Sequence, residues 1–326
     1  VLGVARQARR LTGQRHLCLA GGVALNCVAN GVLLRSGLFD DIWIQPASGD
    51  AGGALGAALF AWHQLEDHPR PALEGAADHM QGAYLGPAFA DDEIAAWLDR
   101  LGAPYRRLPD GDLEREAARL VAEQNVVGMF QGRMEFGPRA LGNRSIIGDA
   151  RSPKMQSVLN LKIKYRESFR PFAPSVLEER ISDYFEIDRP SPYMLLVAQV
   201  RRERCIAPET TEKDITVLEQ VNQVRSDIPA ITHVDHSARI QSVSARTNPR
   251  YHAIIRAFEE QTGCGVIINT SFNVRGEPIV CTPEDAYRCF MGTEMDHLVM
   301  GNLVLAKSEQ PEAYRAEGWH EQFDLD

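Results

Sequence analysis

The feature that most constrains the fold of this chain is a pair of short apolar segments, each followed by a glycine-rich turn and a helix. Strands are predicted over residues 16–20 and 41–45, and helices over residues 24–35 and 50–63. A further helix precedes the first strand, and this alternation is typical of a layered α/β sheet. Residues 1–65 are too few for a complete domain of this kind. We therefore expect them to be the end of a larger domain.

A segment rich in proline, glycine and charge divides the chain. Residues 66–82 contain His-Pro-Arg-Pro and Glu-Gly-Ala-Ala without hydrophobic periodicity, which is typical of a linker. We predict a first unit over residues 1–65 and a second unit over residues 83–326. In the second unit, amphipathic helices predicted over residues 91–101 and 113–124 are followed by apolar, strand-like segments. The fold class expected for the chain is α/β.

Composition argues against several classes of protein. The hydrophobic share of 44% and the charged share of 24% are ordinary for a soluble globular protein, and no apolar stretch is long enough to cross a bilayer. A net charge of -9 argues against binding to a nucleic-acid backbone, which usually needs a basic face. The six cysteines form no Cys-x-x-Cys pair, which favours reduced thiols over a disulfide framework or a zinc site. We predict a cytoplasmic protein without a membrane or nucleic-acid partner.

The two glycine-rich turns are candidates for binding a nucleotide. Gly21 and Gly22 follow the first strand, and glycines let a phosphate or ribose approach the N-terminus of a helix. Asn26 could hydrogen-bond the nucleotide. Asp50 begins the helix after the second strand, where it either caps that helix or ligates a divalent metal. Because both turns follow neighbouring strands, they would lie side by side where α/β sheets bind ligands.

Two basic segments indicate a site for an anion. Arg139 and Arg144 lie in residues 132–146, and the planar guanidinium group suits phosphate or carboxylate oxygens. Farther along, Lys162, Lys164 and Arg166 alternate with apolar residues. On a strand, alternate residues share a face, so these cations would line one surface and bind a polyanion. A solvated strand edge protected by lysine is the alternative for one of the two lysines.

Small polar side chains follow a buried strand predicted over residues 265–269. Asn269, Ser271 and Asn273 recur at a period of two, which would place neutral hydrogen-bonding groups on one face for the oxygens of a ligand. A polar strand end before a turn is the alternative interpretation. A His-Val-Asp-His segment at residues 233–236 could suggest a metal site, but Arg239 downstream favours an anion.

Six segments together identify a family. AGGVALN, SGDAGGALGAA, GRMEFGPRALGNRSI, KIKYRESFRPFAPSV, INTSFNVRGEPIV and MDHLVMGNLVLAK occur in this order over nearly the whole chain. They resemble the carbamoyltransferases of the nodulation-factor and antibiotic-tailoring type. The resemblance implies a YrdC-like twisted mixed sheet with flanking helices, preceded by part of an actin-like α/β lobe.

The activity that the resemblance implies is ATP-dependent O-carbamoyl transfer. Carbamoyl phosphate and ATP would give carbamoyl adenylate, and the carbamoyl group would pass to a hydroxyl of a sugar-like or antibiotic-like acceptor. Mg²⁺ is expected on the triphosphate. A divalent metal, expected to be Fe²⁺, belongs to the complete actin-like domain, whose His-x-x-x-His motif does not occur in this sequence. We therefore expect this chain to hold the last part of that domain, with an incomplete metal site.

Site residues carry over from the family by motif. Lys162 and Arg166 are assigned as catalytic, Asp50 as a metal ligand, and the choice between Lys162 and Lys164 stays open. The adenylate would contact Gly21, Gly22 and Asn26. Carbamoyl phosphate or ATP would be bound by Arg139, Arg144, Lys162, Arg166, Arg239, Asn269, Ser271 and Asn273.

Other functions remain compatible with the same residues. An enzyme that forms threonylcarbamoyl adenylate for tRNA modification would use the same chemistry, although the acidic net charge weighs against it. A nucleotide-binding module without turnover is a second alternative. A sugar kinase is a weaker third one, because only the first unit suggests it.

Overall fold

The strands of the chain form two sheets. The computed structural model describes residues 1–73, 78–168, 170–207 and 223–314, so parts of the predicted linker and second unit lie outside the described residues. A small parallel sheet pairs β1 (His16–Leu19) with β2 (Asp41–Ile44). Three helices accompany it: α1 (Leu2–Thr12), α2 (Cys27–Arg35) and α3 (Asp50–Phe60). A π-helical turn, Ala61–Leu65, extends α3.

The larger sheet is mixed. Its described strands are β3 (Arg106–Arg107), β4 (Val127–Phe130), β5 (Arg144–Asp149), β6 (Ala173–Leu177), β7 (Leu196–Gln199), β8 (Ser237–Val243), β9 (Val266–Ser271), β10 (His297–Met300) and β11 (Leu303–Ala306). They run in the order β3-β11-β10-β4-β5-β9-β6-β8-β7. The pairs β10–β4 and β6–β8 are parallel, and the other pairs are antiparallel.

Helices cover this sheet and build the main core. They are α4 (Asp91–Leu101), α5 (Asp112–Ala122), α6 (Met155–Val158), α7 (Ile181–Tyr184), α8 (Pro249–Thr262) and α9 (Pro283–Met291). Helices α5 and α8 pack against each other and against the central strands. Every residue of β4, β5 and β6 is buried, as expected for strands covered on both faces. The predicted α/β class, with a mixed sheet and flanking helices, is confirmed.

Local capping signals define two of these helices. The Asn248 side chain accepts a hydrogen bond from the backbone of Tyr251 at the start of α8, which ends at Gly263 with a φ of 74°. Thr282 and Asp285 form a reciprocal capping box at the start of α9. In the described ranges, no helix combines the length and the apolarity needed to span a membrane.

Helix α2 covers the edge of the larger sheet at β7. The Asn30 amide nitrogen donates to the carbonyl of Leu195 at 3.1 Å, and the Arg35 guanidinium donates to the carbonyl of Val197 at 2.8 Å. These bonds satisfy backbone groups that an uncovered edge strand would expose. The approach is so close that a Cβ atom at Gly31 would lie 2.4 Å from the Val197 oxygen. Residues of the first predicted unit therefore pack directly against the large sheet.

Replacement of Gly31 by alanine should destabilise the protein although alanine favours helices. The added methyl group would meet a backbone oxygen that cannot rotate away, and overpacking of this kind costs about 1–3 kcal/mol. Gly56→Ala in α3 is the matched control, because a Cβ atom there meets nothing within 4 Å. The control should gain up to about 1 kcal/mol from helix propensity. Urea unfolding measures both variants, and equal stability of the two would contradict the packing described here.

Candidate anion-binding site

Four arginines from three parts of the chain line one cavity of about 300 Å³. Arg139 comes from the loop between β4 and β5, and Arg239 comes from β8. Arg166 and Arg170 both come from the segment between α6 and β6. The volume is at the lower end of the range of roughly 300–1,000 Å³ that is usual for small-molecule sites.

Register across three neighbouring strands sets the floor of this cavity. Asn269 on β9 is the pairing partner of Ala173 on β6. Ser175 on β6 pairs with Gln241 on β8, and Arg239 lies two residues before Gln241 on that strand. Paired residues share a face, and so do residues two apart on one strand. Arg239 and Asn269 are therefore held on the same face by the sheet itself.

The described walls of the cavity carry positive charge from arginine side chains. None of its described lining residues carries a carboxylate. Burial lowers the pKa of Arg239 to about 10, with further lowering by the charges of Arg139 and Arg166. Burial likewise lowers the pKa of Arg166 to about 10, with Arg170 as the next cause. Because both values lie well above 7, the guanidinium groups stay charged at neutral pH, and the cavity favours an anion.

Three buried polar atoms around the cavity have no hydrogen-bond partner among the described residues. They are the Nε atoms of Arg139 and Arg239 and the Oδ1 atom of Asn269. Buried polar groups are normally paired, since each unpaired group costs free energy. A polar ligand that both accepts and donates hydrogen bonds would satisfy these two donors and this one acceptor.

The predicted row of cations on a strand is wrong. Residues 159–163 continue α6 as a π-helical turn, so Lys162 and Lys164 do not share a strand face. Lys162 is exposed, does not line the cavity and pairs with Glu294 at 2.9 Å. Its predicted position beside Arg166 in the cavity is therefore not observed.

Lys164 instead anchors the basic segment to the end of β9. Its buried ammonium group donates to the carbonyl oxygens of Ser271 at 2.5 Å and Asn273 at 2.8 Å, and to the Asn273 side-chain oxygen at 2.8 Å. Ser271 lines the cavity, whereas Asn273 does not. Lys164 thus joins the segment that carries Arg166 to the strand that carries Asn269.

Arg144 does not line the cavity, although it was predicted to bind the substrate. Its side chain is fully buried and lies 3.7 Å from the centre of the Phe130 ring. One guanidinium nitrogen donates to the carbonyls of Gln131 at 2.8 Å and Asn143 at 3.0 Å. These contacts give Arg144 a structural position at the base of the loop that presents Arg139.

Arg170 is a charged cavity residue that the sequence analysis did not assign to the site. It lies in the KIKYRESFRPFAPSV segment, four residues after Arg166, and its guanidinium pairs with Glu167 at 3.2 Å. The density of cations in that segment was the available signal. Arg170 was not assigned because it lies outside the alternating pattern of Lys162, Lys164 and Arg166.

The glycine-rich turn of the first unit lies against the arginine loop. Arg139 donates to the carbonyl of Leu25 at 3.3 Å, next to the turn that holds Gly21 and Gly22. Both glycines are exposed, and Gly21 has a φ of 91°. The Asn26 side chain accepts a hydrogen bond from the Ala29 backbone at 3.0 Å, so α2 begins at Cys27 rather than at residue 24.

Asp50 does not by itself form a metal centre. It is exposed in the first turn of α3. Within the described ranges, no group of three or more His, Cys, Asp or Glu side chains is arranged to hold a metal ion. Iron needs several ligands in a defined geometry. The described residues therefore do not fit a complete iron site.

Two parts of the chain match known protein families. Residues 118–307 match the family described as Carbamoyltransferase C-terminus, and residues 2–59 match Carbamoyltransferase N-terminus. The chain belongs to the carbamoyltransferase family. The resemblance carried by the six sequence segments is thereby confirmed, and the arginine cavity lies within the part that matches the C-terminal family.

Several relatives share this carbamoyltransferase sequence. The uncharacterized protein sll1178 of Synechocystis sp. is 61% identical over 96% of this chain and 51% of its own length. Nodulation protein NolO of Bradyrhizobium diazoefficiens is 42% identical over 94% of this chain and 52% of its own. Nodulation protein U of Rhizobium tropici is 34% identical over 95% of this chain and 47% of its own. The chain thus spans about half the length of these relatives.

A solved structure with partial similarity is full-length HypF in a phosphate- and nucleotide-bound form. It has 15% sequence identity and a TM-score of 0.36, and the match covers 64% of this chain and 22% of HypF.

Lys164 should make the stability of this carbamoyltransferase chain depend on pH. Burial, together with the nearby Arg166 charge, lowers the pKa of Lys164 from 10.5 to about 7. Between these values the unfolded chain binds a proton that the folded chain has lost, so the free energy of unfolding rises with pH. Lys164→Met should remove this rise, measured by urea unfolding at about pH 7 and about pH 9.5.

The exposed Lys162 provides the control. Lys162→Met should keep the pH dependence of the unaltered chain, because Glu294 raises rather than lowers the pKa of Lys162. Identical pH dependence in the Lys164→Met variant and the unaltered chain would contradict the lowered pKa of the buried Lys164.

Proposed function

We propose that this chain binds carbamoyl phosphate in the arginine cavity and serves an ATP-dependent O-carbamoyltransferase. The observation that carries the proposal is the convergence of four arginines on a cavity whose described walls hold no carboxylate. Membership of the carbamoyltransferase family identifies a carbamoyl donor as the relevant class of anion. Carbamoyl phosphate unites the two requirements, since it is a small phosphate that carries a carbamoyl group.

The arginines would act on the phosphate end of this ligand. Guanidinium groups bind phosphate oxygens through two parallel hydrogen bonds, which fixes geometry as well as charge. Among the described residues, the buried Nε donors of Arg139 and Arg239 have no partner, and Arg166 lines the same cavity from the segment before β6. These cations would stabilise the negative charge that grows on the phosphate as it leaves.

The proposed reaction has three steps, and the protons released by water and by the acceptor hydroxyl pass to solvent. Water adds to the carbamoyl carbon, the bond from that carbon to the phosphate oxygen breaks, and carbamate and phosphate form. A carbamate oxygen then attacks the α-phosphorus of ATP, and pyrophosphate leaves with carbamoyl adenylate as the other product. An acceptor hydroxyl finally attacks the carbamoyl carbon, and AMP leaves. A Mg²⁺ ion carried by ATP would neutralise charge on the triphosphate.

The nucleotide would lie toward the first unit. Gly21 and Gly22 are exposed beside the loop of Arg139, and Asn26 follows them at the N-terminus of α2. Exposed glycines followed by a helix N-terminus suit a phosphate or ribose. A second cavity of about 240 Å³ adjoins the first and shares Arg239 with it, which leaves room for a larger co-substrate.

Loss of one cavity arginine should weaken the binding of carbamoyl phosphate and slow the formation of carbamoyl adenylate. Arg166→Gln and Arg239→Gln should each lower the affinity measured by isothermal titration calorimetry at least tenfold, which is what one charged hydrogen bond contributes. Carbamoyl-phosphate-dependent ATP–pyrophosphate exchange should fall by about 100-fold, because these groups stabilise transition-state charge. Threonine with bicarbonate should not replace carbamoyl phosphate in the exchange.

Two variants outside the cavity serve as controls for the loss of a cavity arginine. Arg202→Gln removes an exposed arginine that does not line the cavity and should change neither quantity. Lys162→Gln tests whether Lys162, which was assigned as catalytic from the sequence, takes part in binding. Retained binding supports the cavity described here, which Lys162 does not line. Full binding and exchange in both Arg166→Gln and Arg239→Gln would refute the proposed site.

A further inference from the structure

Four buried polar side chains form a hydrogen-bonded chain beneath the anion cavity. The Tyr251 hydroxyl donates to the Ser175 hydroxyl at 2.9 Å, and Ser175 donates to Gln241 Oε1 at 2.6 Å. Asn269 Nδ2 donates to the same Gln241 oxygen at 2.7 Å. Each of the four residues is at most 2% exposed. These hydrogen bonds therefore link helix α8 to Asn269, the residue of β9 that lines the cavity.

Backbone carbonyls fix the orientation of both amide groups in this hydrogen-bonded network. Gln241 Nε2 donates to the carbonyl of Leu141 at 2.8 Å, and Asn269 Nδ2 donates to the carbonyl of Ala140 at 3.1 Å. A carbonyl oxygen can only accept a hydrogen bond, so both contacting atoms must be nitrogen. Rotation of either amide by 180° would place oxygen against oxygen. The assignment of nitrogen and oxygen in both side chains follows from this network.

The remaining atom of Asn269 is an acceptor without a partner. Its Oδ1 is buried and unpaired among the described residues, and Asn269 lines the arginine cavity. The arginines of that cavity can only donate hydrogen bonds. Asn269 Oδ1 is therefore suited to a part of the ligand that donates, whereas the arginines are suited to its phosphate oxygens.

We propose that Gln241 is a positioning residue that holds the Asn269 amide with its oxygen toward the ligand, and that this oxygen recognises the amino group of a carbamoyl donor. The inference rests on the proposed function and deepens it, because it explains how the site would select a carbamoyl phosphate over other small phosphates. Gln241 itself need not touch the ligand. It acts by accepting from Asn269 Nδ2 and donating to Leu141.

Acetyl phosphate is the probe that isolates this contact. It has the same phosphate and carbonyl groups but a methyl group in place of the amino group. With acetyl phosphate bound, the buried Asn269 oxygen would stay unpaired, and a site built to pair a ligand N–H discriminates against an analogue that lacks it. We expect this chain to bind carbamoyl phosphate at least tenfold more tightly than acetyl phosphate, a factor that one hydrogen bond accounts for.

Isothermal titration calorimetry of the unaltered chain and of Gln241→Met with three ligands tests the proposal. Methionine has a similar length but neither the acceptor for Asn269 nor the donor for Leu141. The preference for carbamoyl phosphate over acetyl phosphate should fall to within about twofold of unity in the variant, while the affinity for inorganic phosphate changes by less than about twofold. An unchanged preference, or an equal loss for all three ligands, would overturn the positioning role.

Ser175→Ala is the matched control. It removes one bond to Gln241 Oε1 but leaves the bonds to Asn269 and Leu141, so the preference should persist. The comparison on the unaltered chain does not require any variant to fold. Equal affinity for carbamoyl phosphate and acetyl phosphate would overturn this inference while leaving the arginine site intact. A failure of the unaltered chain to bind any of the three ligands would overturn the proposed function and this inference together.

Discussion

Positive charge concentrated around a cavity whose described walls hold no carboxylate is the constraint on which the site depends. Arg139, Arg166 and Arg239 come from separate parts of the chain, and folding places them around one cavity despite their mutual repulsion. Burial makes this arrangement costlier, because it removes water that would screen the charges. An arrangement of this kind is useful when an anion supplies the missing charge. The fold must therefore hold the arginines in place before the anion arrives.

Buried hydrogen bonds and strand register provide that support. Register across β8, β6 and β9 aligns Arg239 with Asn269, and Lys164 ties the segment of Arg166 to the end of β9. Gln241 joins the Arg139 loop to the same strands through the carbonyl of Leu141. Each of these supports is buried, so each is protected from competition with water. The cavity is thus shaped by parts of the sheet that lie beneath it.

Local signals in the sequence predicted much of the fold. Helix α4 has the predicted bounds, and strands β1 and β2 lie within the predicted segments 16–20 and 41–45. The prediction was wrong at residues 161–166, where alternating charges matched the period of a strand. Their conformation is set instead by the burial of Lys164 against oxygen atoms more than a hundred residues away, which no local pattern reveals. Of the eight residues predicted to bind carbamoyl phosphate or ATP, five line the cavity: Arg139, Arg166, Arg239, Asn269 and Ser271.

The most direct test of the account is a crystal structure of this chain with carbamoyl phosphate bound. We expect the phosphate group to lie between Arg139, Arg166 and Arg239, with the amino group within hydrogen-bond distance of Asn269 Oδ1. Electron density for the ligand at any other place, with the arginine cavity holding only solvent, would contradict it.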